Sequence, residues 1–126
     1  MRSRHMLVIA LVLALLWWPG GVLAHAHLVA SDPVDGGRLD DTNASVELQF
    51  SEGIEVAFSR FMLHGDDDAT APAAVSPASY RLGADRRSVV LRFGDALPAG
   101  AWRLDWTVLA EDGHTTTGTL TFRVGD

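Results

Sequence analysis

Two stretches of the sequence crowd metal-binding side chains at short spacing. The first is "HAH", in which His25 and His27 stand one residue apart directly after an apolar run. The second is "EDGH", in which Asp112 and His114 flank Gly113. A histidine that becomes a chain terminus gains a second donor, because its free α-amine and its ring Nδ1 close a chelate on one ion. The amine has an ordinary pKa of about 8, so a metal displaces its proton at neutral pH. In an extended segment His27 points to the same side as His25. An extended Asp112-x-His114 pair converges on one point and adds a carboxylate oxygen and an imidazole nitrogen. With His25 this makes three nitrogens and one oxygen, a set that suits the tetragonal preference of Cu(II). Standing alone, the "DG" would mark only a turn; the histidine at position 25 is what gives it weight.

For His25 to be a terminus the chain must be cut before it. "MRSRH" is a short basic segment, Met6 to Trp18 is unbroken apolar sequence, and "PGGVLA" supplies helix breakers and small residues. That order is the order of a secretory signal peptide, with Val22 and Ala24 placed for cleavage between Ala24 and His25. The apolar run is shorter than the roughly 20 residues a bilayer span needs, and Pro19, Gly20 and Gly21 end it abruptly. The expected organisation is a signal peptide over 1–24 and one exported domain over 25–126.

Removing residues 1–24 takes Arg2 and Arg4 but no acid. Ten Lys+Arg fall to eight against 16 Asp+Glu, a net charge of −8 with histidine neutral. An acidic domain without lysine is a poor nucleic-acid binder and a good attractor of cations. No second apolar run is long enough to span a membrane. The chain has no cysteine, so thiolate metal sites and cysteine nucleophiles are excluded and the core must hold the fold without disulfides.

The elements that must position the two stretches are strands. "SVELQF" (45–50), "SVVLRF" (88–93), "AWRLDWTV" (101–108) and "TLTFRV" (119–124) alternate apolar and polar residues with period two, as half-buried strands do. "HLVAS", "SRFMLH" and "ASYRL" are shorter candidates. "DPVDGG", "GDDDATAPAA", "LGADR", "GDALPAG" and "EDG" between them carry turn chemistry, and Asp66 to Ser79 reads as one long loop. No amphipathic helix is expected. About seven short strands in about 100 residues predict a two-sheet antiparallel sandwich in preference to a small barrel. The "AEDGHTTTG" segment is then a hairpin connection between the two strongest strands. Trp102 and Trp106 fall on the core face with Leu104, Thr115 to Thr117 read as strand surface, and His64 with Asp66, Asp67 and Asp68 reads as a solvated loop tip.

"HAHLVASDPVDGG", "VELQFSE" and "WTVLAEDGHTTTGTLTFRV", in this order and over essentially the whole mature chain, resemble the CopC copper-resistance family. The resemblance implies an Ig-like Greek-key β-sandwich, export to the periplasm, and binding of one Cu(II) per chain without catalysis. Carried over residue by residue, His25 supplies amine and ring nitrogen, in the manner of a histidine brace. His114 then supplies a ring nitrogen and Asp112 a carboxylate oxygen. Glu52, in "FSE", matches the family's strand glutamate, as a weak ligand or as a group orienting the site. His27 matches the family's second histidine. The partner implied is an inner-membrane copper permease or another envelope copper protein. This chain lacks the methionine-rich loop of two-site members: "HGDDDATAPAA" stands there, and Met62 is the only methionine after residue 24. A Cu(II)-only version follows. Two other functions compete. A copper-dependent histidine-brace oxidase would need a broad substrate face, for which no free aromatic set is evident. A metal-free Ig-like interaction module would be indifferent to His25 and His114.

Overall fold

The computed structural model describes residues 25–39, 44–71, 73–94 and 96–125. The expected signal peptide, residues 1–24, lies outside the described residues. Nine strands follow one another: β1 (Leu28–Asp32), β2 (Gly37–Leu39), β3 (Ser45–Phe50), β4 (Arg60–Gly65), β5 (Ala74–Val75), β6 (Ser79–Leu82), β7 (Ser88–Arg92), β8 (Gly100–Leu109) and β9 (Thr115–Val124). A 3₁₀ turn, Val56–Phe58, precedes β4, and no α-helix occurs among the described residues. One sheet runs β1-β3-β7-β6 and the other β2-β9-β8-β4-β5.

Period-two alternation translates directly into the two facing layers. In β3, Val46, Leu48 and Phe50 are buried, while Glu47 and Gln49 face out. In β8 every second residue from Gly100 to Val108 is buried, including Trp102, Leu104 and Trp106. In β9, Leu120, Phe122 and Val124 complete the same layer. Apolar side chains this large each contribute about 1.5–3 kcal/mol on full burial, which is how a domain without disulfides holds together. Trp102 is wholly buried and satisfies its indole N–H on the Pro98 carbonyl at 2.9 Å. Phe50 and Trp106 meet edge to face, with ring centroids 5.2 Å apart.

Every strand expected from alternation is present, and two further short ones appear in segments read as turn or loop. β2 lies just after the "DPVDGG" turn and pairs in parallel with β9, Gly37 opposite Phe122 and Leu39 opposite Val124. The sandwich is therefore antiparallel except for this one pair. Its cause is a long-range contact: Asp35 Oδ1 accepts from the Thr121 N–H at 2.8 Å, and the Gly36 N–H donates to the Thr121 carbonyl at 2.7 Å. These bonds carry the chain across from the edge of one sheet to the edge of the other. β5 pairs with the end of β4, Leu63 opposite Val75, within the stretch read as one long loop. The reversal is pinned by Asp67, whose carboxylate accepts from the backbone N–H groups of Ala69, Thr70 and Ala101.

Candidate metal centre

The β8–β9 connection is a tight turn with chemistry at its tip. The Gly113 N–H donates to the Ala110 carbonyl and the Ala110 N–H to the His114 carbonyl, both at 2.9 Å. Gly113 has φ +88°, a conformation glycine adopts without steric cost. Asp112 does not reach His114 across an extended strand. It folds back over the turn, and its Oδ1 accepts from the His114 N–H at 2.9 Å. Oδ2 then faces the His114 ring, 3.3 Å from Nδ1. The His114 N–H is the main cause holding the Asp112 carboxyl below its ordinary range, against a smaller opposing effect of desolvation. The His114 ring and the charges of His114 and His25 act in the same direction as the N–H.

The segment from His25 to His27 is brought to this turn by two hydroxyls. Ser51, just after β3, accepts from the His27 N–H at 2.9 Å and donates its own N–H to the His27 carbonyl at 2.8 Å. Its hydroxyl also donates to the His25 carbonyl at 3.3 Å. Thr116, on β9, donates to the Ala26 carbonyl at 2.8 Å, and Ala26 is fully buried. His25 is thereby laid against the turn, its ring edge-on to that of His114 with centroids 4.8 Å apart.

One donor atom each from His25, Asp112 and His114 lies within 4.8 Å of the others. An ion placed among them would reach all three with small side-chain adjustments. The His114 Nδ1 is buried and, although close to Asp112, makes no aligned hydrogen bond. A buried polar nitrogen without a partner is costly, and a nitrogen facing a carboxylate oxygen is well matched to a shared cation. Two imidazoles and a carboxylate, with no sulfur, suit a borderline divalent ion of the Cu(II) type. Glu52 does not belong to this group, and neither does His27. Glu52 stands between Ser51, which holds the His25–His27 segment, and Gly53, whose carbonyl accepts from the Glu111 N–H at 3.0 Å.

Sequence reasoning named the three side chains that converge, together with Glu52, which does not join them, and missed the residues that gather them. Thr116 read as strand surface, and Ser51 was passed over inside "FSE". An isolated hydroxyl, two residues beyond His114 in one case and 24 beyond His27 in the other, is too common a feature to signal a clamp across the fold. The acidic stretch after β4 also differs from the solvated tip expected. Asp67 ties the loop to β8, Asp66 lies 3.3 Å from Arg103, and His64 lies 3.5 Å from Asp105.

The architecture and the site together define a class: a two-sheet β-sandwich domain with a nitrogen–oxygen donor cluster at one end, built from the leading segment and the last hairpin. Comparison with known proteins is specific within that class. The family model described as the CopC domain matches residues 28–125. Copper resistance protein C of Pseudomonas syringae pv. tomato is 34% identical over 104 residues, covering 80% of this chain and 81% of that protein. Protein YobA of Escherichia coli K12 is 31% identical over 103 residues, covering 82% and 81%. The crystal structure of PcoC, a methionine-rich copper resistance protein from Escherichia coli, superposes with a TM-score of 0.69 at 33% identity, covering 80% of this chain and 99% of that one. The chain belongs to the CopC domain family.

Proposed function

We propose that this protein is an exported Cu(II)-binding protein of copper resistance or homeostasis, acting by coordination without turnover. In this reading residues 1–24 are removed on export to the periplasm. His25 then offers its amine and ring nitrogen, His114 a ring nitrogen and Asp112 a carboxylate oxygen to one Cu(II) per chain. Glu52 orients the site or adds a weak bond from beside Ser51. The convergence of His25, Asp112 and His114, together with the buried His114 Nδ1 that makes no hydrogen bond, is the observation that carries the proposal. The copper-resistance relatives support it. The scarcity of methionine favours Cu(II) over Cu(I), because soft thioethers are what select the reduced ion; among the described residues Met62 stands alone, on β4. In this reading the partner is an inner-membrane copper permease or another envelope copper protein.

The test is a Cu(II) titration of two forms, one starting at His25 and one carrying a single extra residue before it. Tight one-to-one binding by the first and much weaker binding by the second is expected, because the extra residue converts the chelating amine to an amide. Equal binding would show that the terminal amine is not a ligand.

A further inference from the structure

Three loops meet behind the metal turn, and one side chain bridges them. Arg86, in the β6–β7 turn, has φ +59°, a left-handed conformation that favours glycine or asparagine over arginine. Its backbone is engaged on both sides: its N–H donates to the Gly83 carbonyl at 3.0 Å, and its carbonyl accepts from the Ile54 N–H at 2.8 Å. Its guanidinium then reaches two carboxylates from different loops. Nη2 lies 2.7 Å from Glu55 Oε2, in the β3–β4 loop, and Nε lies 3.3 Å from Glu111 Oε1, in the β8–β9 turn. Glu111 immediately precedes Asp112, and its N–H is bonded to the Gly53 carbonyl. A Cβ at Gly53 would overlap the Glu111 carboxylate. The missing side chain at 53 is what lets Glu111 lie down across the loop toward Arg86.

Resting on the Cu(II) reading above, we infer that Arg86 is a positioning residue of the copper site, holding the Asp112–His114 turn in register through Glu111. An arginine fork is suited to this, since its geometry is rigid and a single ordered side chain fixes two carboxylates. Without it the carboxylates of Glu55 and Glu111 lose their shared cation, and the turn keeps only its backbone bonds and the Asp112 side-chain bond. The electrostatic alternative has the opposite sign. Arg86 is a positive charge near a cation site, so if charge alone mattered, removing it would tighten Cu(II) binding.

The experiment compares Arg86→Ala, Arg86→Lys, Glu111→Gln and the Arg86→Ala/Glu111→Gln double variant in the form starting at His25. In the metal-free protein, amide exchange at Glu111, Gly113 and His114 should quicken in Arg86→Ala, while Leu104 and Phe122 in the core strands stay protected. Unchanged exchange at the turn overturns the inference whether or not copper binds. With Cu(II), positioning predicts affinity about tenfold weaker in Arg86→Ala, as for other groups that orient metal ligands. It also predicts an altered electron paramagnetic resonance spectrum, partial recovery in Arg86→Lys, and a double variant no worse than the worse single one. Affinity equal to or tighter than the parent's, with an unchanged spectrum, overturns it. A parent that fails to bind Cu(II), or binds it unaffected by His114→Ala, overturns the Cu(II) reading instead, and the exchange measurement still decides the role of Arg86.

Discussion

Thr116→Val is the most informative single change, because it separates the clamp on the leading segment from the donors themselves. The Thr116 hydroxyl donates at 2.8 Å to the Ala26 carbonyl, 90 residues earlier in the chain. Ala26 is 0% exposed, and this is the one hydrogen bond its carbonyl receives among the described residues. Valine keeps the shape and β-branching of threonine but replaces the hydroxyl by a methyl group. The buried carbonyl is left without a donor, a loss of about 1–3 kcal/mol. Thr116 itself is half-buried, so water partly replaces the bond and the lower half, about 1–2 kcal/mol, is expected. For a domain of this size that lowers Tm by roughly 4–16 °C. The same change loosens His25, and Cu(II) affinity should fall about tenfold, the lower end for groups that orient a ligand. Thr116→Ser keeps the donor and should restore most of both. Thermal unfolding followed by circular dichroism and a competitive Cu(II) titration measure the two effects. If the valine variant melts and binds copper as the parent does, the Thr116–Ala26 bond does not position His25 and the reasoning fails.

Three other perturbations probe the fold and the site. Gly118 stands opposite Trp106 in the β8–β9 ladder, where a Cβ would overlap the indole. Gly118→Ala should destabilise the domain by about 1–3 kcal/mol through overpacking, with partial rescue by Trp106→Leu, measured by urea unfolding. The Asp67 carboxyl is held below its ordinary value of 3.8, first by the Ala101 N–H and then by Thr70 and Ala69. A lowered folded value means its stabilisation is fully present above about pH 4 and is lost as pH falls through the lowered value. The Tm deficit of Asp67→Asn should therefore be constant near neutrality and shrink in acid; a deficit independent of pH would show that the charge is not what the loop uses. Cu(II) affinity of the form starting at His25 should fall steadily from pH 8 to pH 5, as protons compete for the amine and imidazoles; a flat profile in isothermal titration would refute nitrogen coordination.

The strands were legible because each is a local statement. Val46, Leu48 and Phe50, or Trp102, Leu104, Trp106 and Val108, announce a buried face within six to eight residues, and a pleated backbone has no other way to place them. β2 and β5 were not legible, because neither carries alternation of its own. Gly37–Leu39 becomes a strand through Asp35 reaching Thr121, and Ala74–Val75 through Asp67 reaching Ala101. Both causes are side chains bonding to backbone far away in sequence. The same division runs through the site. His25, Asp112 and His114 were recognisable as candidate donors from residue type and spacing, and "DG" as a turn; that the turn folds Asp112 back onto His114, in place of the extended pair expected, was not. The parts played by Ser51, Thr116 and Arg86 were hidden, since each is an ordinary polar residue until a partner stands beside it.

The sequence by itself determined which alternating segments become strands, which face of each is apolar, and which side chains bear donor atoms, because those properties are local to a few residues. Only the tertiary structure decided that residues 25 and 114 would meet. That contact depends on the register of β1 against β3 and of β8 against β9, and register is set by the packing of two whole sheets around one core. The donors belong to the local chemistry of the chain; the site belongs to the fold.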